Sequence, residues 1–147
     1  MSGTPSGLFH RDPTYTYPVI VRGDGIYLYD EAGKRYIDGG AGATNVTLGH
    51  GRERIATAMA QQAGELAYVF SARLANRPAI EFADRIAAIA PGDLSHVYFV
   101  SGGSEANESA LKLVRLYHQE RGNGDKQLVI SRWRSYHGAT LGALSLT

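Results

Sequence analysis

His96-Val97-Tyr98-Phe99-Val100-Ser101-Gly102-Gly103-Ser104-Glu105-Ala106-Asn107 is the stretch whose reading decides the fold. Residues 96–100 are apolar, β-branched or aromatic at most positions, which predicts a short buried strand. Ser101 to Ser104 turns the chain. Ala110, Leu113, Val114 and Tyr117 then recur on one face, predicting a helix from Glu105 to about Glu120. Arg121-Gly122-Asn123-Gly124-Asp125 ends that helix, and Gln127-Leu128-Val129-Ile130-Ser131 reads as a second strand. A strand–helix–strand unit of this length implies parallel strands and a right-handed crossover. Parallel sheets hold more than two strands and are covered on both faces. The chain therefore reads as an unfinished α/β fold, with one more helix starting between Ala139 and Thr147.

Toward the N-terminus, Arg77 to Ala90 carries Phe82, Ala83, Ile86 and Ala90 on one stripe, with Asn76 as cap and Pro91-Gly92-Asp93 as stop. Ile55, Met59, Ala63 and Leu66 mark another helix over Arg52 to Leu66. Before it lies Gly39-Gly40-Ala41-Gly42-Ala43, a loop whose backbone can approach other groups closely. Three short strands precede the loop: Pro18–Arg22, Ile26–Asp30 and Lys34–Asp38, with turns at Gly23-Asp24-Gly25 and Glu31-Ala32-Gly33. Such a meander needs a partner for its apolar face. Residues 1–17 show no sustained period and read as an arm that orders only against something else.

Composition narrows the function classes. The 147 residues are 44% hydrophobic and 20% charged, as in ordinary globular proteins. Fifteen basic and fourteen acidic residues leave a net charge of +1, and the densest basic stretch is Arg132-Trp133-Arg134. That is too little for a nucleic-acid footprint. There is no cysteine, which excludes disulfides, zinc–thiolate sites and thiol nucleophiles. Met1 to Gly7 lacks a secretion signal pattern, and no apolar run is long enough to span a bilayer. A cytoplasmic protein is the default expectation.

Two loops can carry chemistry. In Ser101-Gly102-Gly103-Ser104 the free N–H groups of a helix start meet two glycines and a hydroxyl, an arrangement that binds phosphate. The plainer alternative is that Ser104 only caps the helix, and caps are commoner than anion sites. In Ser135-Tyr136-His137-Gly138, Tyr136 offers a ring to a flat ligand and His137 a hydrogen bond. An ordinary turn with a buried aromatic competes with that reading. Both loops leave the C-terminal ends of predicted parallel strands, where open α/β sheets bind ligands. Gly40-Ala41-Gly42 begins a dinucleotide-like pattern but has Asn45 at its third glycine position. The histidines at 10, 50, 96, 118 and 137 have no metal-ligand spacing.

Together these stretches resemble the class III aminotransferases, a branch of the fold-type I pyridoxal-phosphate enzymes. The resemblance runs from about Val19 to Thr147. It begins with Gly25-Ile26-Tyr27-Leu28-Tyr29-Asp30 and continues through Leu48-Gly49-His50-Gly51. It is sharpest at Ser101 to Glu108 and at Tyr136-His137-Gly138-Ala139-Thr140. It implies a β-meander with helices, followed by the start of the large parallel-sheet domain. Residues 1–60 then form the arm and part of the small domain, and 61–147 begin the cofactor domain.

The resemblance further implies pyridoxal 5'-phosphate as cofactor. Gly103 and Ser104, with Gly102 beside them, match its phosphate site; Gly102 stands where many relatives have Ser or Thr. Tyr136 matches the aromatic that stacks on the pyridine ring, with His137 next to it. Tyr68 and Phe70 fall where the family builds its substrate pocket. The family's Schiff-base lysine and its pyridine-nitrogen aspartate lie beyond position 147, and Lys34, Lys112 and Lys126 match neither. No catalytic residue is therefore expected here, and the chain alone is expected to be inactive. The implied reaction moves an amino group from an amine or ω-amino acid to a keto acid, in a homodimeric parent. A mutase, epimerase or decarboxylase of the same family, or a non-catalytic interaction fragment, are the alternatives.

Overall fold

A computed structural model describes residues 7–147. Residues 1–6, which include most of the N-terminal segment read for a signal pattern, lie outside the described residues. The chain divides into two compact units, Met1–Leu74 and Ala75–Thr147.

The first unit is built on an antiparallel sheet of order β1-β2-β3, with β1 Ile20–Asp24, β2 Tyr27–Asp30 and β3 Arg35–Ile37. The predicted meander is present, with β1 displaced toward its first turn. Asp24 pairs with Tyr27, so Gly25-Ile26 is the tight connection and Gly23 belongs to the strand. Gly25 has φ +56, the left-handed conformation that a two-residue hairpin turn requires. A bulge between Ile20 and Arg22 absorbs the offset. The second turn falls where predicted: Lys34 N donates to Asp30 Oδ1 at 2.9 Å and Gly33 takes φ +79. Three cation–π contacts line the sheet, with the Arg22 guanidinium 3.7 Å from the Tyr29 ring centre, Arg35 over Tyr27 and Lys34 over Tyr36.

The glycine-rich loop is not open coil. Ala41–Thr44 (α1) forms one left-handed turn, with φ +47, +57, +56 and +69 along it. Asp38 accepts from Gly42 N at 3.1 Å and Asn45 Nδ2 donates to Gly42 O at 2.9 Å. These bonds offset the steric cost of left-handed alanines. Helix α2, Glu53–Glu65, follows as expected. Within the arm, His10 stacks on Tyr17 at 4.4 Å and the Tyr17 hydroxyl accepts from Asp12 N at 3.2 Å, so this part carries contacts of its own.

The second unit holds α3 (Arg77–Ile89), α4 (Gly103–Glu120) and a short α5 (Leu141–Leu144). Asn76 caps α3 as predicted, its Oδ1 accepting from Ala79 N at 2.9 Å. Two expectations are corrected here. Residues 96–100 and 127–131 form no regular element, and neither pairs with a strand among the described residues. Tyr98 and Val100 share one open hollow with Leu113 and Leu116 of α4, and Leu128 and Val129 share another with Leu111 and Val114. Apolar patterning reports which residues seek burial, whereas a strand exists only where a neighbouring backbone completes its ladder. Among the described residues only Gly138 and Ala143 are buried, so the helices turn much of their apolar stripes to solvent. Among the described residues no helix is long and apolar enough to cross a membrane.

Candidate functional site

Helix α4 starts two residues before the predicted position, at Gly103, with Gly102 as an extended N-cap of φ −175 and ψ 179. No side chain caps it. Ser104 therefore does not play the helix-cap part that its sequence position allowed. The first N–H groups of a helix have no acceptor within it. A Cβ built on Gly103 would meet nothing within 4 Å, so the space beside these amides is open. On Gly102 it would approach only the flexible Glu105 carboxylate, at 3.0 Å.

The second predicted loop lies against this helix start. The Ser104 hydroxyl oxygen accepts from Ala139 N at 3.0 Å, and Asn107 Nδ2 donates to His137 O. Glu108 Oε1 accepts from Thr140 Oγ1 at 2.7 Å, Gly142 N at 2.8 Å and Ala143 N at 3.2 Å. The Thr140 bond foremost, then the two backbone amides, hold the Glu108 carboxyl below the usual carboxylate range. Gly138, at φ +140, fits where a Cβ would lie 2.7 Å from Ser104 Oγ and 2.6 Å from Ala143 Cβ. The two halves of the predicted site thus meet.

Tyr136 carries its ring outward, 78% exposed. His137 is half-buried, and its Nδ1 is buried with no hydrogen-bond partner. Tyr68 and Phe70 belong to the first unit, 75% and 59% exposed, in the irregular segment after α2. Asn107 and Glu108 were missed as site residues by the sequence reading. Their spacing from Ser104, at i+3 and i+4 on one helix face, was the available signal.

The family model for class III aminotransferases matches residues 9–147. The chain belongs to that family. Among curated relatives, a probable aminotransferase of Mycobacterium tuberculosis is 50% identical over 89% of this chain and 28% of its own length. The putrescine–pyruvate aminotransferase of Pseudomonas aeruginosa is 39% identical, over 87% of this chain and 28% of its own. Solved transaminases share the fold. One from a marine Virgibacillus matches with a TM-score of 0.88 and 44% identity, over 92% of this chain and 31% of its own. An (S)-enantioselective ω-transaminase from Thermomicrobium roseum matches with a TM-score of 0.87 and 41% identity, over 95% and 33%. The chain spans about a third of the length of the relatives it matches. The predicted fold type therefore holds, although the described residues form only an antiparallel sheet.

Proposed function

We propose that this chain is the cofactor-cradling N-terminal part of a pyridoxal-phosphate-dependent aminotransferase that moves an amino group from an amine or ω-amino acid to a keto acid. The observation that carries the reading is the Ser104–Ala139 hydrogen bond, which joins the phosphate-type loop to the loop bearing Tyr136. A hydroxyl has one donor and two acceptor lone pairs. The bond from Ala139 uses a lone pair and leaves the Ser104 O–H free to donate to a phosphate oxygen.

The residues present suit the cofactor. The uncapped amides of α4, the open space at Gly103 and the Ser104 hydroxyl would hold the phosphate. Tyr136 would cover one face of the ring, and His137, with its unpartnered Nδ1, stands beside it. When bound, the cofactor supplies an aldehyde that takes up the amino group and an electron-withdrawing ring. This chain's residues bind and orient it. Tyr68 and Phe70 would line the substrate pocket, and a lysine outside these residues would complete the site.

The substrate class draws on the relatives' names. One is a taurine–pyruvate and another a diaminobutyrate–2-oxoglutarate aminotransferase, beside the putrescine–pyruvate enzyme. In the reading proposed, the parent is a cytoplasmic homodimer with no nucleic-acid or membrane partner. Residues 1–60 belong to its arm and small domain, and 61–147 begin its cofactor domain.

The test is a half-reaction of the full-length holoenzyme. Amino donor alone should convert bound pyridoxal phosphate to pyridoxamine phosphate, and keto acid should reverse the change. If chemically varied donors never give that form while an amino acid is racemised, rearranged or decarboxylated, aminotransferase is the wrong member of the family.

A further inference from the structure

Three side chains of α4 take hold of one stretch of chain some thirty residues away. Ser104, Asn107 and Glu108 stand at i, i+3 and i+4 and share a helix face. Along the opposing segment they bind in order: Asn107 to the His137 carbonyl, Ser104 to the Ala139 amide, and Glu108 to Thr140, Gly142 and Ala143. Glu108 makes the largest share of these bonds. Its one oxygen satisfies the Thr140 hydroxyl and two amides at the start of α5, which would otherwise have no acceptor. The other oxygen lies so close to Gly142 that a Cβ there would collide with it. Gly138 and Ala143, the two buried residues among those described, sit in the same contact.

The position of Tyr136 depends on this contact. Its exposed ring has no hydrogen bond of its own to fix it, and the chain on its C-terminal side is pinned from 137 onward by α4. We infer that Glu108 is a positioning residue, which holds the Tyr136–His137 loop on the start of α4 so that the Tyr136 ring and the Ser104 hydroxyl address one bound molecule. The inference rests on the cofactor reading above. Glu108 itself touches neither ring nor phosphate; it acts through the loop.

Reach and acceptor oxygen matter here more than charge. Gln retains an oxygen at the same distance, Asp falls one methylene short, and Ala removes the acceptor. The experiment measures pyridoxal phosphate affinity of the full-length enzyme by equilibrium titration. The near-visible circular dichroism of the bound cofactor is recorded alongside as a signature of ring seating. Glu108→Ala should weaken affinity about tenfold, the scale of losing hydrogen bonds to a charged group. It should also alter the dichroism as Tyr136→Ala does. Glu108→Gln should restore both to within about threefold of wild type, and Glu108→Asp should not. In the double variant Glu108→Ala/Tyr136→Ala the two losses should be strongly non-additive, because both remove one ring contact.

Independent, additive losses, or a Glu108→Gln variant as impaired as Glu108→Ala, would overturn the inference while leaving the cofactor reading intact. If Tyr136→Ala alone leaves affinity and dichroism unchanged, the stacking reading fails and this inference fails with it. Should Glu108→Ala not fold, the contrast between Gln and Asp, each paired with Tyr136→Ala, gives the same decision.

Discussion

Nε2 of His50 lies 2.9 Å from Oδ2 of Asp38, tying the end of β3 to the residue that bridges Gly25. The His50 backbone exchanges two bonds with Gly25, at 3.0 and 2.8 Å, while Gly23 leaves the room its ring occupies. The His50 bond foremost, and Gly42 N next, lower the Asp38 pKa. A carboxyl whose folded pKa is depressed stabilises the fold fully above its unfolded pKa, about 3.9. That contribution disappears as pH falls through the folded value. His50→Ala should raise the Asp38 pKa and move the acid unfolding of the meander to higher pH. Carboxyl titration by NMR checks the first and circular dichroism the second. An unchanged Asp38 titration would show that the bond has no hold on the carboxyl.

The left-handed turn Ala41–Thr44 offers a stability test. Left-handed backbone costs an L-residue about 1–2 kcal/mol, and glycine nothing of that kind. Glycine returns part of the gain through its larger unfolded-state entropy. Ala43, at φ +56, should therefore gain about 0.5–1 kcal/mol on replacement by Gly. Ala43→Val should lose at least as much. Urea denaturation measures both, and a destabilised Ala43→Gly would contradict the left-handed geometry.

These local features show what patterning could and could not convey. The Asn76 cap, the stop after Ala90 and the Glu31-Ala32-Gly33 turn were legible because each is decided by a few adjacent residues. The left-handed turn was not, since alanine gives no signal for positive φ. Asp38–His50 and Glu108–Thr140 join residues 12 and 32 positions apart. Spacing rules for metal ligands or helix neighbours do not reach that far. The segments 96–100 and 127–131, expected as strands of an unfinished sheet, form no ladder among the described residues for the complementary reason: their composition records a demand for burial and says nothing of the neighbour that would satisfy it.

That demand leads to a prediction about association. Leu128 is 98% and Ile130 99% exposed, and Tyr98, Leu113 and Leu116 are exposed as well. Exposed apolar surface promotes self-association. The 147-residue chain should sediment as oligomers at tens of micromolar, and Leu128→Lys with Ile130→Lys should shift it toward monomer. A monomeric, cooperatively melting wild-type chain would show that these side chains are covered in solution.

The last prediction separates the phosphate reading from a purely structural one at the start of α4. If the Ser104 O–H donates to a cofactor phosphate, Ser104→Ala in the full-length enzyme should weaken pyridoxal phosphate binding by about 1.5–3 kcal/mol, the range for a hydrogen bond to a charged group. The same change removes the acceptor for Ala139 N, so the melting temperature of the cofactor-free protein must be measured beside the affinity. A loss of apo stability with unchanged affinity would assign Ser104 to loop docking alone. Gly103→Val isolates the other half. A Cβ at Gly103 meets nothing within 4 Å, so the substitution carries only a helix-start propensity effect of a few tenths of a kcal/mol in the empty protein. The branched side chain would fill the space from which the amides reach a phosphate. Affinity should therefore fall more than for Ser104→Ala, while apo stability stays nearly constant. Equal affinity for both variants and wild type would leave the glycines as a plain turn before a helix.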